Sequence, residues 1–283
     1  MKQCDMPRSV IAKASWLLFP ALVGGAAESR TQCNFPEVHV GPDGLEFTTF
    51  AQQYRGQRPI LLKNATPEWS AHRVWPSGGF LRLHGNLSVM PKNPAADVAF
   101  EEFEDSISVQ RYLEDDAFKK KILFDFSDFT VYRQIVKEIV PVPLPLLRIR
   151  GEPSFSLGRK GTGSGSHRHE ENWMTQVVGR KAWFVAHPDA SDSLMSSDGN
   201  DHRPCRLLKR DRRPKGVSVC VVGEGETVYV PAHWHHATCN MDDLTIGVGG
   251  RNGGNNADAS GWPPHIFHIV DGNVAALKQA TAA

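Results

Sequence analysis

After its first 27 residues, this sequence contains nothing close to the roughly 20 consecutive apolar residues that a membrane-spanning helix requires, so no span is expected. Neither sign of charge is in excess. Lys and Arg number 32 against 31 Asp and Glu, which leaves no global basic field to recruit nucleic acid. One local run, Arg203 to Lys215 (RPCRLLKRDRRPK), is basic but lacks the interleaved aromatics of a nucleic-acid reader. It reads first as a solvated loop between strands and second as a docking patch for anions. Cysteine is scarce, five in 283 residues, and no C-x-x-C spacing occurs, which argues against a zinc ribbon or a thioredoxin-like site. No internal repeat is present.

What is present suits one globular domain with a real core: 40% of the residues are hydrophobic and 22% charged, and β-barrels run to about 250 residues as a unit. The first residues have the order of a secretory signal. Lys2, Arg8 and Lys13 are followed or flanked by the apolar run Trp16 to Val23, and the small residues Gly24 to Ala27 come next. Removing residues 1–27 would take away three basic residues and one acidic, leaving 29 against 30. The expected location is therefore the endoplasmic-reticulum lumen or the outside of the cell. Cys4 would leave with the signal, and the remaining Cys33, Cys205, Cys220 and Cys239 allow three full pairings. Asn64-Ala-Thr66 and Asn86-Leu-Ser88 are formal glycosylation acceptors, the first weakened by Pro67.

Periodicity predicts an α/β lead-in followed by a barrel. Leu45 to Tyr54 has helical spacing, with Phe47, Phe50 and Tyr54 on one face. Pro59 to Leu62 reads as a strand, Phe80 to His84 as a short helix or turn, Val98 to Ile107 as a helix, Lys121 to Phe126 as a strand and Tyr132 to Val140 as a helix. Pro141 to Pro145 is a rigid linker. Strand-like segments follow at Ser154–Leu157, Met174–Val178, Lys181–Ala186, Val217–Val222, Thr227–Val230 and Leu244–Val248, separated by Gly and Asp turns. The expected organisation is a signal at 1–27, an α/β extension at 28–145, a barrel core at 146–250 and a flexible tail at 251–283, its last residues from Asn273 Ala-rich and helix-compatible.

Two histidine clusters carry the chemistry. His167-Arg168-His169 follows the turn Gly161-Thr-Gly-Ser-Gly165, and His233-Trp-His-His236 follows Val230-Pro. Alternate side chains on an extended segment share a face, so His167 and His169 point the same way. A third imidazole from the distant cluster would close a facial triad suited to Fe(II), Zn or Cu. Within the second cluster His235 is the expected ligand, and His233 and His236 the weaker candidates.

The glycine-rich turn, the H-x-H pair, Gly179-Arg-Lys181, the aromatic run Trp183-Phe184 to Pro188, and Val230-Pro-Ala-His-Trp-His235 together resemble the jumonji C branch of the cupin superfamily. The likeness runs from about Leu45 to Gly250. It implies a mainly β, cupin-type double-stranded β-helix, or jelly roll, with an N-terminal α/β extension and flanking helices. It also implies an Fe(II)- and 2-oxoglutarate-dependent oxygenase acting on a protein substrate, with His167, His169 and His235 as metal ligands and no catalytic residue beyond them. In the same resemblance Lys181 pairs with the distal carboxylate of 2-oxoglutarate, Asn172 lies near that co-substrate, and Ser164 or Thr162 could give it a hydroxyl, although a turn role competes. The resemblance favours Cys33–Cys220 as a disulfide. One departure matters: most members read H-x-D where this chain reads His167-x-His169, so the site carries one more positive charge. Glu170 or Glu171 is a less suitable substitute ligand. The competing expectations are a non-catalytic scaffold that keeps the barrel and a three-histidine dioxygenase that dispenses with 2-oxoglutarate.

Overall fold

A computed structural model describes residues 33–41, 47–91, 106–125, 130–142, 146, 151–191, 195 and 204–252, all within one unit, Thr31–Ala283. The lead-in supplies β1 (Glu37–His39), α1 (Phe47–Gln53), β2 (Ile60–Lys63), α2 (Ala71–Val74), α3 (Gly79–His84), β3 (Ser88–Val89), β4 (Ile107–Ser108), α4 (Val109–Glu114), β5 (Ile122–Asp125) and α5 (Thr130–Ile135). The barrel supplies β6 (Gly151–Gly158), β7 (Asn172–Val178), β8 (Lys181–Ala186), β9 (Ser218–Val222), β10 (Glu226–Val230), β11 (His235–Asn240) and β12 (Thr245–Asn252). The signal-like segment, most of the acidic stretch expected to be helical, most of the proline linker and the tail from residue 253 lie outside the described residues. Of that acidic stretch, Ile107 begins a strand. The helix expected to reach Val140 stops at Ile135 and tightens into a 3-10 turn over Val136–Glu138.

Seven strands form one sheet in the order β1-β2-β10-β7-β12-β6-β5, and three form a second in the order β11-β8-β9. Side-chain alternation sorts the strands' apolar residues into three clusters. Ile60, Leu62, Trp173, Val177, Tyr229, Ile246 and Val248 point from the large sheet toward Phe50, Trp69, Trp75 and Phe80 of the lead-in. The opposite face of that sheet, with Leu61, Met174, Val228 and Val230, packs against Trp183, Val185, Cys220 and Val222 of the small sheet. The far face of the small sheet, with Ala182, Phe184, Ala237 and Cys239, is covered by Leu207 and Val217. The middle cluster is the interior of the jelly roll expected from the sequence. Phe50 in α1 is fully buried and meets Tyr229 edge to face, as its helical spacing anticipates.

Two disulfides tie loops onto this frame. Cys33 joins Cys220 on β9, and Cys205 joins Cys239 on β11. The first is the pair favoured by the family resemblance. It closes a sequence separation of 187 residues, the kind of long loop for which chain entropy predicts the larger stabilisation.

Candidate metal centre

Strand register decides which histidines reach the barrel interior. On β8, Lys181, Trp183 and Val185 alternate inward while Ala182, Phe184 and Ala186 face out. β11 lies antiparallel to β8, with His236 opposite Val185, Thr238 opposite Trp183 and Asn240 opposite Lys181. His236, Thr238 and Asn240 therefore line the interior. His235 sits opposite Ala186, in the outward row with Ala237 and Cys239. The third ring of the cluster is His236, not His235. The ligand expected from the motif is displaced by one residue, and on a strand one residue is a change of face.

The backbone makes the same choice. His167 and His236 form a reciprocal antiparallel bridge, each amide donating to the other's carbonyl at 3.0 and 2.8 Å. The run leading there, Gly161 to Ser164, is hydrogen-bonded onto β11 through Asn240 and Thr238. Gly163 has to be glycine, because any Cβ there would overlap the Thr238 carbonyl. His169 is carried in by the next extended step, its own carbonyl accepting from the His233 amide at 2.8 Å.

His167, His169 and His236 offer ring nitrogens that all lie within 4.8 Å of one another. The rings are 4.3 to 5.3 Å apart between centroids, and Trp183 lies 6.0 Å from His236 in a stacked orientation. Each Nδ1 is spoken for: that of His167 donates to the Gly165 carbonyl at 2.8 Å, that of His169 to Glu170 at 2.6 Å, and that of His236 to Trp234 at 2.9 Å. A carbonyl can only accept, so each ring carries its proton on Nδ1 and presents a bare Nε2 lone pair. His169 Nε2 and His236 Nε2 face one another at 3.2 Å. Two opposed lone pairs repel, and a shared cation relieves the repulsion.

A proton is a poor candidate for that cation. Burial, the neighbouring His167 and the charge of Arg251 push the His169 imidazole down to about 3, against the smaller opposing effect of its bond to Glu170. Burial, His167 and His169 hold His236 well below its ordinary value. Both rings are neutral at physiological pH, the state in which imidazole binds metals. The donor set fits a divalent first-row ion.

Deeper in the barrel, Lys181 is buried and donates to Ser156 Oγ at 2.6 Å, with Met174 Sδ 3.7 Å from its ammonium. Burial alone pushes it down to about 7. Asn240 of β11 lies across from it in the strand register. Asn172, expected beside a co-substrate, is buried opposite Arg251 of β12, and its Nδ2 has no hydrogen-bond partner among the described residues. Ser164 and Thr162 serve the scaffold. Ser164 Oγ pairs with Thr238 Oγ1 at 2.9 Å, while Thr162 Oγ1 donates to Arg159 in a turn and accepts from Asn240 Nδ2 at 2.9 Å. The sequence pattern ranked His236 below His235 and did not point to Thr238, Asn240 or Arg251. The signal for the first three was available in strand parity, had β11 been recognised as a strand.

Glu171 is held away from any ligand role. Arg55 from the lead-in donates to it through Nε at 3.1 and 3.2 Å, and the Tyr229 hydroxyl donates at 2.9 Å. That fixes the chain two residues after His169. Replacing Arg55 with alanine leaves a buried carboxylate partly unpaired and should cost about 2 kcal/mol of stability, less than a fully buried pair because Arg55 is partly exposed. It should also weaken metal binding about tenfold by loosening His169. Denaturant unfolding and metal titration of Arg55→Ala, with Arg55→Lys recovering only part because it lacks the fork, would check this.

Residues 149–249 match the cupin-like domain family. The chain is 26% identical to human JmjC domain-containing protein 8 over 213 residues, 70% of this chain and 77% of that protein. The rat form of the same protein is 24% identical over 209 residues. A mouse protein named 2-oxoglutarate and iron-dependent oxygenase JMJD4 is 29% identical over 133 residues, 43% of this chain but 30% of that protein. Residues 149–249 thus carry a cupin-like domain, folded as a jelly roll with the histidine triad, and over 70% of its length the chain is similar to a JmjC domain-containing protein.

Proposed function

We propose that this protein is an Fe(II)- and 2-oxoglutarate-dependent oxygenase that hydroxylates a protein side chain in the secretory pathway. The observation that carries the reading is the triad of Nδ1-locked imidazoles standing above a buried lysine on the same interior face. His167, His169 and His236 would hold the iron. Bound Fe(II) with 2-oxoglutarate supplies the oxidising power drawn from dioxygen. Lys181, oriented by Ser156, would take the far carboxylate of the co-substrate, and the buried Asn172 Nδ2, without a hydrogen-bond partner among the described residues, offers a further donor. Trp183 and the enclosing sheets keep bulk water from the interior. Two disulfides and the signal-like first residues support an oxidising compartment.

A second reading has its own observation. With His169 in place of a carboxylate and Glu171 tied to Arg55, Glu171 does not lower the charge of the site. A scaffold that keeps a structural metal fits that feature. Anaerobic loading with Fe(II), followed by 2-oxoglutarate and oxygen, separates the two. The oxygenase reading expects succinate that disappears in Lys181→Ala and rises in His169→Asp. Metal binding with no succinate from wild type or His169→Asp, in the presence of candidate secretory-pathway proteins, would favour the scaffold.

A further inference from the structure

The basic segment noted in the sequence is absorbed neither by the metal centre nor by the core. From Pro204 to Lys215 it carries Arg206, Lys209, Arg210, Arg212, Arg213 and Lys215 against Asp211 alone. Taking six from the chain's 32 basic residues and one from its 31 acidic leaves 26 against 30 elsewhere. A nearly neutral protein therefore carries its net excess of positive charge in this one strip, the remainder being net acidic.

The fold holds that strip in place. Its first half is a 3-10 helix, Pro204–Leu208, with Leu207 buried in the outer cluster beside Phe184, Ala237 and Cys239. The Cys205–Cys239 disulfide fastens it to β11, the strand that presents His236 inward. A second 3-10 turn, Arg210–Arg212, follows. The chain then turns through Pro214 and Val217 and enters β9 at Ser218, opposite Val185. Val185 is also opposite His236. The strip therefore runs along the outside of the small sheet and ends at the rim where the histidine triad opens. Trp234 and His187 meet edge to face at that rim.

Lys209, Arg210, Arg212 and Lys215 are exposed. Asp211 approaches Arg212 at 3.8 Å, an exposed pair too weak to neutralise the strip. Burial and the neighbouring Arg210 both press the Arg213 guanidinium below its ordinary value, a sign that like charges are crowded here. Crowding of this kind costs stability and is relieved by an anionic partner.

We propose that residues 204–215 form a docking surface for an acidic stretch of the polypeptide whose side chain enters the metal site. The proposal rests on the oxygenase reading for its purpose, though not for its binding test. Charge complementarity selects the partner. Among the described residues the one large hydrophobic side chain left well exposed is Leu83, on α3 and not on this strip, so nothing here inserts into a bilayer. No aromatic residue lies between the cations to stack on bases.

The test uses metal-free full-length protein and a fluorescein-labelled Glu/Asp-rich peptide, read by anisotropy beside a neutral peptide, a single-stranded oligonucleotide and phosphatidylserine vesicles. The acidic peptide should bind best. The fourfold variant Lys209→Glu, Arg210→Glu, Arg212→Glu, Lys215→Glu should weaken it more than about tenfold, with a similar loss at high salt. The milder Arg210→Ala/Arg212→Ala pair, which leaves the buried half untouched, should lose part of the affinity with an unchanged circular dichroism spectrum. Equal binding by wild type and both variants, or tighter binding of vesicles or oligonucleotide than of peptide, would overturn the proposal. Because the assay needs neither metal nor turnover, its failure leaves the oxygenase reading standing, and absent succinate leaves the docking result intact.

Discussion

Replacing His236 with alanine should lower affinity for a divalent ion by more than about 100-fold, whereas His235→Ala should leave it within a few-fold of wild type. Loss of a partner that merely orients a ligand already costs 10–100-fold, and His236 is placed to be a ligand. The contrast follows from β11 alone, since His236 lies across from inward Val185 and His235 across from outward Ala186. Competition against a chromophoric chelator, with Co(II) or Zn(II) as the reporter ion, gives both numbers. Equal losses in the two variants, or a larger loss in His235→Ala, would show that the register in solution is shifted. His235 is buried at 4% exposure, so a thermal melt of each variant must accompany the titration.

The second large effect belongs to Lys181. In metal-loaded protein under anaerobic conditions, Lys181→Met should weaken 2-oxoglutarate binding by about 100-fold, within the 2–5 kcal/mol that losing one member of a buried charge pair costs. Burial pushes the ammonium down to about 7, and a carboxylate beside it would favour the charged form. On the proposed oxygenase reading, binding would therefore take up a proton. Wild-type affinity should fall as pH rises above 7, by up to about tenfold per unit, and Lys181→Met should lose that dependence. Calorimetry in two buffers of different ionisation enthalpy would count the proton.

The same lysine makes a separate statement about stability. Its folded pKa lies below the unfolded value of 10.5, so between about 7 and 10.5 the unfolded chain holds the extra proton. The contribution of Lys181 to stability then improves as pH rises through that window and is at its worst below 7. Lys181→Met removes the buried ammonium and should raise the melting temperature of metal-free protein at pH 6. A fall in melting temperature there would mean that the ammonium is better solvated than its burial indicates.

Much of this architecture can be read along the chain, because each strand states its period over several residues. Met174 to Val178 and Lys181 to Ala186 are strands where alternation and a glycine turn say so, and Gly179 makes that turn with a φ of 67°. Lys181 was singled out by the family's G-x-K step, and the fold buries it against Ser156. The failure at His235 and His236 is of a different kind. Four consecutive polar or aromatic residues, His233 to His236, contain no apolar alternation to fix parity, and the pairing partner that fixes it is fifty residues back on β8. The clamp from Arg55 to Glu171 spans 116 positions, and no local pattern announces it. Cys205–Cys239 belongs to one of the three full pairings the spacing left open, and it is the outer face of the small sheet that brings the two together.

The reciprocal hydrogen bonds between His167 and His236 have a consequence for how the protein would acquire its ion. In small metal-dependent folds the ligands meet only when the ion gathers them, and a chelator unfolds the chain. Here main-chain pairing and three carbonyl-anchored rings assemble the ligands beforehand, so folding and loading are separate events. The chain can fold and close its disulfides without its metal, and it can exchange one ion for another without passing through a disordered state. Occupancy would then follow the local supply of metal and its rate of escape, and a census of folded protein would not be a census of loaded protein.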